Sequence, residues 1–407
     1  MAVAQRLRQG STLGSVFVLA TLAWNIRFVL FFDSKGSLAS SHNEITILIW
    51  HWPFHKPMNL SGNVCFNVYN VKNCRLTDDR NMFNNSNVVI FHHKELDNDS
   101  HQLPTGPRPS QQMWVWATLE SPSNTKGLSK WNSTFNWTMT YREDSDIFVP
   151  YGQMVPNLTM VLNATIKTGL VSWVVSNYHK VQERAKFYKE FSSYLKVDVF
   201  GKASRKPLCS SCLLPMLSKY LFYLALENSV HKDYITEKLW RNAFLAGAIP
   251  IVLGPPRENY EKFIPPDSFI HVEDFPSPKH LVEFLITITP KRYQEFFRWR
   301  KAYGVKVYTD WRERFCMICS KYQSLPKSKV YTDIERQCER WLSLKQNVLR
   351  SSLGQVNEAH IIAADCSAAQ PDLPIPQCSC QVDEWGQRQR LLMLHQERFL
   401  VWREPLS

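Results

Sequence analysis

Short apolar runs alternate with polar clusters along this chain, a pattern that reads as strand, loop, helix and strand. The clearest instance is residues 219–256, KYLFYLALENSVHKDYITEKLWRNAFLAGAIPIVLGPP. Residues 220–226 form an unbroken apolar and aromatic run, as expected of a strand covered on both faces. Glu227, Asn228 and Ser229 follow at its carboxyl end. A helix is predicted from about Asp233 as N-cap, with Ile235, Leu239, Ala243 and Ala246 at helical spacing and Gly247 as its stop. Residues 249–253 are the next parallel strand, closed by the turn Gly254-Pro255-Pro256.

In an open parallel sheet, ligands sit beyond the carboxyl ends of the strands, and a helix N-terminus there favours anions. Tyr234, Glu237 and Lys238 fall in the predicted first turn. A lysine at that place opposes the helix macrodipole, which points to an anionic ligand; a solvated lysine is the plainer alternative.

The same pattern recurs upstream. Strands are predicted at 44–50 (EITILIW), 87–91 (NVVIF), 113–118 (MWVWAT) and 136–141, each followed by a polar cluster. Those clusters are His51 to Phe54, His92-His93-Lys94-Glu95, Leu119-Glu120-Ser121-Pro122, and Asp144-Ser145-Asp146 with Val149 to Gly152. Strands at 170–176 and 196–200 flank a helix at about 180–195. This helix carries Val181, Ala185, Tyr188 and Phe191 inward and Arg184 near its first turn. Residues 290–314 read as helical and amphipathic. The pattern predicts two Rossmann-like α/β domains facing a cleft, at about 44–168 and 169–344.

At the N-terminus, Arg6 and Arg8 precede an apolar run at 13–26 that Arg27 interrupts and 28–32 resumes. A membrane span needs about 20 apolar residues, and an arginine near its end can snorkel. With no small-x-small cleavage site evident, the reading is a signal-anchor helix over 11–32 after a cytosolic tail at 1–10; a cleaved signal peptide is the alternative. A short stem, 33–43, follows, and the remainder faces a lumen. Seven Asn-x-Ser/Thr sequons agree with that compartment: Asn59, Asn84, Asn98, Asn132, Asn136, Asn157 and Asn163.

The chain has 407 residues, 44% of them hydrophobic, which suits two domains. Its net charge of +12 fits either nucleic acid or an anionic small ligand. The positive residues are scattered, without a zinc-finger or helix-turn-helix pattern, so charge alone leaves the choice open. Ten cysteines include two CxxC pairs, which could build a zinc site. They lie more than a hundred residues apart and face an oxidising lumen. Local disulfides Cys65–Cys74, Cys209–Cys212 and Cys316–Cys319 are therefore the expectation.

The segment FYLALENSVHKDYITEKLWRNAFLAGAIPIVLGPP and its continuation to HVEDF resemble the donor-binding motif of the α-1,3-fucosyltransferases. HWPF, VVIFHHKEL, WVWATLESPSNT and YREDSDIFVPYG agree in order upstream, so the resemblance runs from about Ile45 to Trp341. The short stem, WHWPF, DSDIFVPYG and TDWRERFC resemble in particular the members that make sialyl Lewis x. The resemblance implies an inverting glycosyltransferase of the two-Rossmann-domain (GT-B) type, anchored in the Golgi membrane with its catalytic region lumenal. It would move L-fucose from GDP-β-L-fucose to the 3-hydroxyl of N-acetylglucosamine in Galβ1,4GlcNAc glycans whose galactose carries α2,3-linked sialic acid. No cofactor is implied beyond the donor substrate, with stimulation by Mn²⁺ at most.

By the same resemblance Glu120 is the base, and Arg184 and Lys238 neutralise the leaving diphosphate. Tyr223, Asn228, Tyr234 and Glu237 are donor contacts, with Ser176 and Asn177 beside the phosphates. His92, His93 and Lys94 are acceptor contacts. Lys94 departs from the arginine usual in that motif and lacks its planar fork. Ala225 stands where serine is common. Two competing readings remain: an Asp-x-Asp metal clamp at Asp144 and Asp146, and a catalytically silent glycan-binding protein of the same fold. The tail at 345–407, with Cys366, Cys378 and Cys380, matches nothing in the pattern, and Cys338 has no assigned partner.

Overall fold

The computed structural model describes residues 44–98, 103–158 and 165–335. The predicted anchor, the sequon Asn163 and the tail at 345–407 lie outside the described residues, as do Cys338, Cys366, Cys378 and Cys380. No helix among the described residues is long and apolar enough to cross a membrane.

Two parallel sheets organise the chain. The first contains β1 (Ile45–Ile49), β2 (Cys74–Thr77), β3 (Val88–His92), β4 (Met113–Ala117), β5 (Trp137–Thr140) and β6 (Ile147–Phe148), in the order β2-β1-β3-β4-β5-β6. The second contains β8 (Gly169–Val174), β9 (Asp198–Phe200), β10 (Tyr220–Leu226), β11 (Ile249–Leu253) and β12 (Ile270–His271), in the order β12-β11-β10-β8-β9. Within each sheet the second strand sits outside the first and the third on its other side, which is the doubly wound order with a switch point between first and third strands. Those points fall between β1 and β3 and between β8 and β10.

Burial explains why the second sheet was legible as apolar runs. All seven residues of β10 are buried. Phe222, Leu224 and Leu226 face one core with Phe191 and Leu285, while Tyr223 and Ala225 face another with Trp240 and Phe244. With helices on both faces, nothing in the strand needs to be polar.

Four features depart from the sequence expectation. The helix expected from Asp233 begins at Lys238, with Glu237 at its N-cap, and Lys238–Leu245 is π-helical. Asp233 instead takes a left-handed conformation, φ 61°, fixed by two hydrogen bonds with Asn259 of 2.7 and 2.6 Å. The helix expected at 180–195 starts at Glu183, and Val181 is 81% exposed rather than inward. Within 290–314 only Pro290–Glu295 and the start of Trp311–Lys321 are α-helical, with a 3-10 turn at Arg298–Lys301. Between them β13 (Tyr303–Val307) pairs antiparallel with β7 (Gly152–Pro156). At the start of β7 only glycine fits, because a Cβ on Gly152 would lie 2.6 Å from the Trp240 ring.

The fourth departure is covalent. Cys65 pairs with Cys316 and Cys74 with Cys319; only Cys209–Cys212 is local as expected. The helix Trp311–Lys321 leaves β13 and returns to the first sheet, beside the helix Val64–Tyr69 and β2, so both CxxC cysteines at 316 and 319 face partners about 250 residues away. Tyr69 donates to Asp310 at 2.6 Å in the same junction. The described chain beyond it also packs on the first sheet, where Tyr331 and Ile334 join Leu48, Val89 and Phe91 in one core.

Candidate active site

The carboxyl ends of β8 and β10 assemble the predicted donor residues. Ser176 and Asn177 follow β8 and are exposed, whereas Arg184, in the first turn of Glu183–Tyr194, is buried. Arg184 reaches back to the Asn177 carbonyl and donates from Nε to Gln182 at 3.0 Å. Burial lowers its pKa, against the opposing pull of Glu227, Tyr234 and Glu237. Asn228, half-buried, accepts from the Ser229 hydroxyl at 3.0 Å.

Lys238 stands at the centre of this end. Its ammonium lies 3.0 Å from Glu227, 3.3 Å from Glu237 and 2.8 Å from the Thr236 hydroxyl, which accounts for its three donors. Glu227 is 2% exposed and also accepts from the Thr236 amide at 2.8 Å. Burial raises the Glu227 pKa, with Lys238 opposing. Burial works against the Lys238 cation too, yet Glu227 and Glu237 outweigh it and raise its pKa. Glu237 is held below the usual range by Lys238 and Arg241 despite its burial. Glu227 was visible in the sequence as the residue ending a strand, but nothing in its spacing showed that Thr236 and Lys238 fold back onto it.

Tyr223, expected as a donor contact, is fully buried inside the sheet core, where it accepts from Asn242 Nδ2 at 3.0 Å. Burial pushes its pKa up to about 12. Tyr234 packs against Tyr141 and Tyr151, with ring centroids 5.0 and 6.4 Å away. Burial, then the surrounding carboxylates, hold the phenols of Tyr151 and Tyr234 well above their ordinary value.

Facing this end is the loop after β4. Glu120 is half-buried; its amide donates to Thr118 Oγ1 at 3.2 Å and its carboxylate accepts from Asn124 at 3.3 Å. Glu120 from the first sheet and Glu237 from the second line one cavity of about 330 Å³, with Tyr151, Arg241, His92, Phe54, Trp311 and Arg314 among its walls. The two loops touch directly. Ser121 and Ser229 hydroxyls share a 2.6 Å hydrogen bond, and Ser123 Oγ lies 2.7 Å from His231 Nε2. The Glu143 amide donates to Asp233 at 3.1 Å.

The three predicted acceptor residues separate. His92 lines the cavity, paired with buried Glu95 and 5.2 Å from the Trp311 ring. Glu95 in turn accepts from the Phe54 amide at 2.8 Å, tying the HWPF loop to β3. His93 is buried against Trp116, whose Nε1 donates to it at 3.3 Å. Lys94 is exposed, its ammonium 5.0 Å from the Phe54 ring centroid. Sequence reasoning missed Tyr151, Arg241 and Arg314 as wall residues, because the β7–β13 pairing that brings two of them here is non-local.

Asp144 and Asp146 do not converge. Asp144 pairs with Arg142 at 2.6 Å and Lys232 at 3.3 Å. Asp146 pairs with Lys329 at 2.5 Å and accepts from Thr138 and Tyr331. Of the sequons, Asn59, Asn84, Asn132 and Asn157 are exposed. Asn136 is 4% exposed and its amide bonds to Trp114 and Lys329, which corrects its reading as a glycan site: the fold leaves no room for a glycan there.

Residues 42–152 match the profile of the fucosyltransferase N-terminal domain, and residues 164–337 that of glycosyltransferase family 10 (fucosyltransferase) C-terminal domains. Alpha-(1,3)-fucosyltransferase 7 of Mus musculus is 48% identical over 323 residues, which is 79% of this chain and 82% of the mouse protein. That of Homo sapiens is 47% identical over 332 residues, covering 81% and 96% respectively. A crystal structure of an alpha1,3-fucosyltransferase with GDP-fucose is 19% identical and superimposes with a TM-score of 0.48, covering 72% of this chain and 93% of that one.

Proposed function

The chain belongs to glycosyltransferase family 10, the fucosyltransferases, and we propose that it moves L-fucose from GDP-β-L-fucose to the 3-hydroxyl of N-acetylglucosamine in α2,3-sialylated Galβ1,4GlcNAc. The observation that carries this reading is the single cavity lined by Glu120 from one sheet and Glu237 from the other. We read the two sheets as a GT-B pair, with the donor on the second and the acceptor on the first.

In this reading the Glu120 carboxylate takes the proton of the acceptor hydroxyl as its oxygen bonds to fucose C1. The bond from C1 to the diphosphate oxygen breaks on the opposite face, giving inversion and GDP. Lys238 and Arg184 receive the charge developing on that diphosphate. All three Lys238 donors are engaged, so a phosphate oxygen would replace the longest contact, the one to Glu237. Glu237, thus released, would face the fucose hydroxyls. Asp144 and Asp146, each held by its own cation, support diphosphate neutralisation by these side chains rather than by an Asp-x-Asp clamp. We place the enzyme in the Golgi membrane, its catalytic region lumenal.

The test incubates the full-length chain in detergent with GDP-fucose and either Galβ1,4GlcNAc or its α2,3-sialylated form, with the product linkage read by NMR. Formation of an α1,3-fucosylated product from the sialylated acceptor supports the reading. Binding of the sialylated glycan with the donor left intact would establish the silent glycan-binding alternative.

A further inference from the structure

Arg314 lies in the helix Trp311–Lys321 and is 3% exposed, yet its side chain forms part of the wall of the cavity shared with Glu120. One terminal nitrogen donates to the Tyr308 carbonyl at 2.5 Å. Its Nε is buried with no acceptor among the described residues. The neighbouring carboxylates are engaged elsewhere: Asp310 with Arg312 at 2.7 Å and Tyr69 at 2.6 Å, and Glu313 with Lys306 at 2.6 Å. Burial lowers the guanidinium pKa to about 10, so it remains a cation at neutral pH.

The Trp311 ring lies 5.1 Å from the guanidinium carbon, but no carboxylate among the described residues pairs with it. A buried cation without a carboxylate partner is destabilising, and an active-site wall is where such a cost is offset by a ligand. The unpaired Nε belongs to the lateral edge of the guanidinium, the edge that meets a planar carboxylate with two parallel hydrogen bonds. Arg241, half-buried, lines the same cavity. Glu120 and Glu237 also line it, so an acid entering here meets two carboxylates and needs cations to hold it. Phe54 and Trp311 complete the wall with apolar faces against which sugar rings can lie.

We propose that Arg314 is the anchor for the carboxylate of an acidic acceptor glycan, binding it through its unpaired Nε edge while Glu120 meets the reacting hydroxyl. This makes Arg314 a specificity residue, and it rests on the proposed transfer to a sialylated acceptor. The donor diphosphate is assigned to the other sheet, so the two anionic groups have separate cations.

The experiment compares three acceptors with full-length chain in detergent: sialylated Galβ1,4GlcNAc, the same glycan with its carboxylate converted to a methyl ester, and the neutral disaccharide. Wild-type kcat/KM is expected to fall roughly 30- to 4,000-fold from acid to ester, the range for losing one partner of a buried charge pair. In Arg314→Gln the acid should fall by a similar factor and the acid-to-ester difference should vanish. Stabilisation by GDP in a thermal melt verifies that the variant is folded. Arg314→Lys, which keeps charge but not the planar edge, should show a reduced acid-to-ester ratio and carries the test if the glutamine variant does not fold. An Arg314→Gln enzyme that keeps the wild-type ratio overturns the proposal. Wild-type transfer to the neutral disaccharide and ester as efficient as to the acid would remove the sialylated-acceptor premise, and Arg314's role with it, while leaving fucosyl transfer intact. No transfer to any acceptor would overturn both.

Discussion

The two sheets share one strand order but finish their strands differently. At the carboxyl ends of the second, charge is neutralised on the spot: Glu227 is buried, and Lys238 contacts both it and Glu237. At the end of β4 in the first, Glu120 has an amide donor at 3.3 Å and no cation within ion-pair distance among the described residues. In the proposed reading the end on the second sheet receives the diphosphate charge and the end on the first a proton. A doubly wound sheet supplies the position in each case, while a few side chains decide what that position does.

The largest expected effect is at Glu120, the proposed base. Glu120→Gln should lower kcat by about 10²- to 10⁴-fold, the contribution typical of a positioned general base, with the KM for GDP-fucose unchanged. Steady-state kinetics with both substrates varied would show whether the loss is confined to kcat.

Next are the two long-range disulfides, which among the described residues tie the helix Trp311–Lys321 back to the first sheet. Replacing both Cys74 and Cys319 with serine leaves Cys65–Cys316 closed, so the loop released is only about 15 residues and the cost should be about 3 kcal/mol. A lowered melting temperature of the variant, and peptide mapping of the wild-type chain without reduction, would check this. Recovery of a Cys65–Cys74 peptide would contradict the pairing described.

The contact between the ends should depend on acid. Burial, with Arg142 adding to it, holds the His231 pKa at about 4, against an ordinary value of 6.5. Above pH 6.5 the ring is neutral both folded and unfolded. As the pH falls from 6.5 towards 4, only the unfolded chain gains the proton, so stability is lost, by about 3 kcal/mol over the full window. His231→Gln should flatten the fall in melting temperature between pH 7 and pH 4; an unchanged slope would remove His231 as its cause. The smallest effect expected is Ser229→Ala, which deletes the 2.6 Å hydrogen bond to Ser121 and should cost about 1 kcal/mol.

The parts of the molecule legible in the sequence are those whose physics is local. Tyr220–Leu226 and Ile249–Leu253 match their predicted bounds because both are covered on two faces and read as apolar runs. Glu120 follows the end of β4 as expected, because a polar cluster there follows directly from the pattern, whereas Lys238 opens its helix five residues after the start expected at Asp233. The junctions were not legible. Cys316 and Cys319 look like a local pair until the chain is seen to return to the first sheet, and connectivity cannot be deduced from spacing. Tyr303–Val307 lies among tryptophans and arginines that suggested a helix, and its pairing with Gly152–Pro156 bridges about 150 residues. Arg314 came into the cavity by that same return. Asn136 carries a valid sequon, but its place in front of β5 buries it.

The central claim is that donor binding and proton removal reside on different sheets, and GDP affinity measures that separation most directly. Isothermal titration of GDP into wild type, Glu120→Gln and Lys238→Gln should give the same Kd for the first two. The third should bind at least roughly 30-fold more weakly, the loss expected when a charge-assisted contact to phosphate is removed. Equal weakening in Glu120→Gln, or a Lys238→Gln protein that binds GDP like wild type, would contradict the division between the sheets.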